Sequence, residues 1–262
     1  MLATKARRAA IALVATLAVG GGLSASVAVA QPAVVEAAPG ALVELDGTQN
    51  TRTLAGFATA DGKVVRDGRV LRSDNLSTLS PGDVEALQAA GVVTVVDLRT
   101  GWERLVQPDR EIPGASSKWF DVFAGLPPTT LIDLPTAYRA FVTDPTAREA
   151  FASTLREIAA ASDQGKWVLF HCSAGKDRAG WTTAVLLTLL GVDRETVEAD
   201  FLASNDYRHT SPSDPFNGVN IDWLRSAFRA ADEVYGSVDG YVRDGLGLTD
   251  DEVAALRVGL LQ

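Results

Sequence analysis

The clearest periodicity begins at residue 80. LSPGDVEALQAAG carries Ser80 as an N-cap, Pro81 at the first helical position and Gly91 as a stop, which predicts a helix over 81–90. VVTVVDL follows at once, a β-branched run that reads as a buried strand. The rhythm repeats: residues 136–162 read as helix with a break near Asp144-Pro145, and KWVLFH (166–171) reads as a second buried strand. KDRAGWTTAVLLTLLG then shows a helical apolar stripe ending at Gly191. DRETVEADFLASNDY predicts a further helix, and two more are expected over 220–235 and 249–261, the last capped by Thr249. Helix, glycine and strand in alternation predict an α/β fold with a central, mostly parallel sheet flanked by helices and additional C-terminal helices.

Other stretches are less regular. Ala60-Asp61-Gly62 and Arg66-Asp67-Gly68-Arg69 are turn signals between short apolar runs and predict two small hairpins. Residues 101–135, with several prolines, read as irregular, and 211–219 as a loop.

The first thirty residues follow another pattern. Lys5, Arg7 and Arg8 precede an apolar run from Ala9 to Val19, and Ala28-Val29-Ala30 stands before Gln31-Pro32. This predicts a signal peptide over 1–30 cleaved after Ala30, hence a secreted protein without stable membrane insertion after cleavage. The apolar core is short for a membrane span. Residues 31–45 read as a linker and 46–262 as one catalytic-size domain. Composition fits: 47% of the 262 residues are hydrophobic and 22% charged. Removal of three cations and no anions takes the net charge from −9 to −12. Such an acidic surface disfavours nucleic acid as a partner.

Candidate chemistry centres on the only cysteine, Cys172, in HCSAGKDRAGW. A lone cysteine cannot form an internal disulfide, and an unpaired thiol in an exported protein is open to oxidation. Cys172 ends the second strand and Arg178 opens the next helix, with five residues between them. A loop so placed turns backbone N–H groups toward an oxyanion, with the helix dipole behind them. Gly175 permits the tight path, Arg178 supplies a bidentate fork, and this positive setting favours the thiolate. The spacing therefore offers a bound phosphate with a nucleophile beneath it. The bland alternative is a buried cysteine with an unrelated arginine. Two histidines and one cysteine, widely scattered, offer no metal set, and no cofactor is called for.

HCSAGKDR resembles the HCxxGKDR loop of the secreted bacterial protein tyrosine phosphatases that also act on phosphoinositides, in their mycobacterial type. VLRSDNLSTLSPGDVEAL, VVDLRTGWER, FLASNDYR and LGLTDDEVAALR are similar to further segments of that family, so the resemblance spans about residues 48–262. It implies the cysteine-dependent phosphatase fold and a phosphorylated protein or phosphoinositide substrate. It also implies Cys172 as nucleophile, Arg178 as phosphoryl clamp and Asp177 as general acid. Ser173, Ala174 and Gly175 would give backbone donors, and Lys176 would add charge for a second phosphate. Asp97, at the end of the first strand, is the rival acid; a supporting role is expected for it, as for Arg99 and His171. Asp177 as a mere helix cap and Lys176 as a solvated side chain are the plainer readings. Trp102, Trp119, Phe120 and Trp181 are candidate pocket walls for a phenyl ring, or core.

Two departures stand out. The family has Thr or Ser after the arginine where this chain has Ala179, which predicts slow release of the thiolate unless Thr182 or Thr183 substitutes. RTLAG at 52–56 replaces RDLGG in a segment that packs near the loop. The other functions weighed are a non-catalytic phosphate-binding module, an arsenate reductase and a sulfurtransferase. The reductase relay needs further cysteines, and a sulfurtransferase has no use for an acid at Asp177.

Overall fold

The computed structural model describes residues 38–262 apart from Pro215. The signal peptide expected over 1–30 lies outside the described residues. Five strands form one sheet in the order β1-β2-β5-β3-β4. They are β1 (Arg52–Thr53), β2 (Val70–Ser73), β3 (Val92–Asp97), β4 (Ser116–Trp119) and β5 (Trp167–His171). Only β1 is antiparallel to its neighbour; β2, β5, β3 and β4 run parallel. The α/β fold with a mostly parallel sheet is thus present.

Parallel strands covered on both faces read as continuous apolar runs, and their side chains still alternate between the faces. Val70, Val96, Val168 and Phe170 join the larger core, whereas Leu71, Val95 and Leu169 join the smaller one. The smaller core is closed by α1 (Pro81–Ala90) through Leu87. Its cap is the expected one: Ser80 and Asp83 form a capping box, and Gly91 ends the helix at φ 88°.

The two later strands and helices lie where the pattern put them, but 101–135 holds more structure than expected. Thr100 and Glu103 form a capping box that starts α2 (Gly101–Val106), and SSKW forms the edge strand β4. β4 is short and largely exposed, so it carries no apolar period to detect. A 3₁₀ turn follows at Pro128–Leu131. α3 (Leu134–Thr143) and α4 (Pro145–Asp163) are separated at Asp144, which N-caps α4. α5 (Arg178–Leu190) is buried on nearly every side between the sheet and the remaining helices. Those are α6 (Arg194–Tyr207), α7 (Ile221–Tyr235), α8 (Val238–Gly240) with a π turn over Tyr241–Gly245, and α9 (Asp250–Leu260).

The first turn signal does close a small antiparallel bridge, Ala58 with Val64. The second does not close a hairpin. Val65 pairs with Leu261 at the C-terminus, and β2 enters the sheet beside β5. The described end of the expected linker is also docked: Leu42 bridges to Arg52, and the Val43 amide donates to the Thr51 carbonyl at 2.8 Å. Among the described residues no helix is long and apolar enough to cross a membrane.

Candidate active site

The register places the chemistry at the centre of one sheet edge. His171, the last residue of β5, lies opposite Ser73 of β2 and Asp97 of β3, so Cys172 leaves the sheet between the ends of its two parallel neighbours. Parallel sheets put functional groups at this carboxyl edge. Cys172 is 2% exposed.

The loop from Cys172 to Asp177 is held by its carbonyls. The Ser173 carbonyl accepts from the Asn75 amide (3.2 Å) and Asn75 Nδ2 (3.3 Å). That of Ala174 accepts from Asn50 Nδ2 (3.2 Å) and Arg208 Nη1 (3.3 Å), and that of Gly175 from Arg72 Nη2 (2.7 Å). With the carbonyls tied away from the loop, its amides are turned the other way. Among the described residues no protein acceptor takes the amides of 173–177. Gly175 is required here: its φ is +66°, and a Cβ would sit 2.7 Å from the Asp74 amide nitrogen.

Arg72 is itself anchored. Asp200 bridges its Nη1 and that of Arg52, each at 2.7 Å, and all three side chains are buried. The RTLAG segment therefore reaches the loop through Arg52, Asp200 and Arg72. Burial, with the neighbouring Arg52, lowers the Arg72 guanidinium to about 10 even against Asp200.

Glu103 of α2 grips Arg178 end-on, Oε2 to Nη1 at 2.8 Å and Oε1 to Nη2 at 2.6 Å, and accepts from the Ser173 hydroxyl. Burial would raise the Glu103 carboxyl, but Arg178 first, then Ser173 and the Thr100 amide, outweigh it and hold it at about 2. Burial likewise opposes the Arg178 charge, and Glu103 more than restores it. A guanidinium has a second fork along its side. Arg178 Nε has no protein acceptor among the described residues, so that side edge is available to another anion. Glu103 lies in the DLRTGWER stretch, yet its part in the site was not read from the sequence. The signal was its position three residues after a helix-capping Thr100 at the end of a strand.

Asp177 occupies the N-cap position of α5 but does not cap it with its side chain. Its Oδ1 accepts from the Tyr138 hydroxyl at 3.0 Å, and its Oδ2 pairs with Lys176 Nζ at 2.8 Å. Lys176 is not a solvated side chain. It is 2% exposed, over the Trp223 ring at 5.6 Å, with its ammonium directed at Asp177.

Asp97 is a different group. It is 1% exposed and accepts from Arg99 Nε (2.9 Å) and Nη2 (2.8 Å) and from Arg104 Nε (3.0 Å). Arg99 also pairs with Asp109 at 2.8 Å. Asp109 Oδ2 is 3.1 Å from His171 Nε2, within ion-pair reach but off the line of a hydrogen bond. Asp97, Asp109 and His171 bring ligand atoms within 4.8 Å of one another, but the Arg99 guanidinium bonds both carboxylates and fills the place of a cation.

Asp121, just beyond β4, was not foreseen. Its carboxyl is half-buried and accepts the Phe123 amide at 2.9 Å; the Phe123 ring lies 5.2 Å from Arg178 Cζ. Burial raises Asp121 above the usual carboxylate value.

Ala179 is fully buried. The Thr182 and Thr183 hydroxyls donate back to the carbonyls of Arg178 and Ala179, both at 2.9 Å, and no hydroxyl among the described residues bonds the Cys172 sulfur. Trp181 is core, packed on Phe228 and Tyr241. Trp102 is 70% exposed and Trp119 48%, so neither is core.

This fold thus carries a cysteine and arginine loop at the carboxyl edge of its parallel strands. The family model described as "Tyrosine phosphatase family" matches residues 43–262, and the chain belongs to that family as an enzyme of the protein-tyrosine-phosphatase class. A Cupriavidus necator protein named as a tyrosine-protein phosphatase is 34% identical, over 86% of this chain and 93% of its own. The triple specificity protein phosphatase PtpB of Mycobacterium tuberculosis is 29% identical, over 84% of this chain and 99% of its own. A tyrosine-protein phosphatase of Nostoc commune is 27% identical, over 73% and 74%.

Proposed function

We propose that this chain is an exported cysteine-dependent phosphatase that hydrolyses phosphotyrosine monoesters, and phosphoserine, phosphothreonine or phosphoinositide monoesters as well. The observation that carries the reading is the loop beside Cys172: carbonyls tied away, amides without protein acceptors, and the side edge of Arg178 open. Three non-bridging phosphoryl oxygens match those donors. The triple specificity named for the M. tuberculosis relative supports the breadth proposed, and the pattern of residues 1–30 supports export.

In the first step the Cys172 thiolate attacks phosphorus. The bond to the leaving oxygen breaks, and that oxygen takes the proton of the Asp177 carboxyl. In the second step water attacks phosphorus and gives its proton to the Asp177 carboxylate. The sulfur–phosphorus bond breaks, releasing inorganic phosphate and the thiolate. Among the described residues no hydroxyl stands by to stabilise that thiolate, because Ala179 offers none and Thr182 and Thr183 are bound to carbonyls. The second step is therefore the slow one, and the chain works as a phosphoenzyme that turns over slowly.

The test is phosphate release from phenyl and p-nitrophenyl phosphate without added metal. The parent is expected to show a burst followed by a slower steady rate, and Cys172→Ser to show neither. Phosphate binding without any burst in the parent would leave only the binding-module reading. N-terminal sequencing of protein recovered from culture medium checks export; the expected first residue is Gln31.

A further inference from the structure

A short carboxylate at the N-cap position of a helix has a default partner, the free amides of the first turn. Asp177 is at that position on α5 and does not take it. Something must compete with the cap, and two groups do: Lys176 Nζ on Oδ2 at 2.8 Å and the Tyr138 hydroxyl on Oδ1 at 3.0 Å. Lys176 is the adjacent residue and would follow Asp177 through many conformations. Tyr138 would not. It comes from α3, thirty-nine residues earlier, and is fully buried. Its ring is wedged between Phe141 at 5.0 Å, Phe201 at 6.1 Å and Trp223 at 6.3 Å. Its hydroxyl therefore presents a fixed point against which the carboxyl is located.

We propose that Tyr138 is the positioning residue of the loop acid: its hydroxyl keeps the Asp177 carboxyl off the helix cap and turned toward the leaving-group oxygen. The inference rests on the reading of Asp177 as general acid. Burial, reinforced by the Asp177 charge, holds the Tyr138 hydroxyl well above its ordinary value, so it remains a donor throughout the working range. Without it, Asp177 is free to fold back onto the amides of α5, where it cannot reach a leaving oxygen. Lys176, paired with the same carboxyl, then serves the acid instead of a second phosphate on the substrate.

The experiment compares the parent, Tyr138→Phe, Asp177→Asn and the double variant on two aryl phosphates. One is phenyl phosphate, whose leaving group needs a proton; the other is dinitrophenyl phosphate, whose leaving group does not. The readout is the burst rate, which reports the first step. Tyr138→Phe keeps the ring and its packing, and thermal unfolding with phosphate binding checks that it does. The expected result is a loss of about tenfold on phenyl phosphate and less than about twofold on dinitrophenyl phosphate. No further loss is expected when Tyr138→Phe is added to Asp177→Asn. An equal loss on both substrates, or no loss on either, overturns the role of Tyr138. If Asp177→Asn itself shows no preference for phenyl phosphate, the acid assignment fails and the inference fails with it. Asp121 is then the carboxyl to replace.

Discussion

Two strand ends meet at the catalytic edge, and each delivers a carboxylate. β3 ends in Asp97; β5 runs into the loop that ends in Asp177. Sequence alone made both candidates for the acid, but they are held in opposite ways. Asp97 is enclosed by Arg99 and Arg104, whose guanidinium groups donate three hydrogen bonds to it. Asp177 keeps 18% of its side chain exposed and is held by one hydroxyl and one ammonium. A carboxylate buried between two arginines cannot approach a substrate. Enclosure makes Asp97 a brace for the edge, and of the two only Asp177 keeps a partly exposed side chain, in keeping with the role proposed for it.

The largest expected effects test that division directly. Asp177→Asn should slow cleavage of phenyl phosphate by about a hundredfold or more; it also leaves the buried Lys176 ammonium without its carboxylate, so some stability is lost with it. Asp97→Asn should lose stability without any selective loss on phenyl phosphate. Breaking one partner out of a buried ion-pair network costs about 3 kcal/mol, and the leaving-group profile should stay parallel to that of the parent. Denaturant unfolding and burst kinetics on both variants measure the two effects; a leaving-group-dependent loss in Asp97→Asn would exchange the roles.

A smaller effect concerns Glu103, whose grip on Arg178 joins the two regions. Its folded value of about 2 lies below the ordinary 4.5. A depressed carboxylate contributes stability that is fully present above its unfolded value and lost as pH falls toward the folded one. Stability should therefore decline between about pH 4.5 and pH 2, by at most on the order of 3 kcal/mol from this group. Glu103→Gln should flatten that part of the curve, as followed by thermal unfolding against pH.

The smallest change is at Ala179. Ala179→Ser places a hydroxyl at the start of α5 beside the loop. It should raise the steady rate by a few-fold and shrink the burst relative to it, leaving the burst rate nearly unchanged. Rapid-quench measurement of both phases decides it; an unchanged steady rate would place the slow step elsewhere.

Much of the scaffold was legible because its signals are local. Ser80, Pro81 and Gly91 bound α1 within a dozen residues, and the valine run of β3 needs no partner to be recognised. The loop from Cys172 to Arg178 was legible for the same reason, since cysteine, glycine and arginine lie close together in the chain. β4 and the pairing of Val65 with Leu261 were not, because a short exposed edge strand carries no apolar period and pairing at a distance leaves no spacing to read.

By itself, then, the sequence determined the capped helices, the two apolar central strands, the strand–loop–helix unit and the cysteine, aspartate and arginine that it carries. Tertiary structure alone decided how that unit is aimed. Asn50 reaches the Ala174 carbonyl across 124 residues, Arg72 the Gly175 carbonyl across 103, and Glu103 takes Arg178 across 75. Tyr138 claims Asp177 from another helix. Hydrogen bonds of this kind depend on where the sheet register and helix packing bring distant side chains, and no local pattern encodes that.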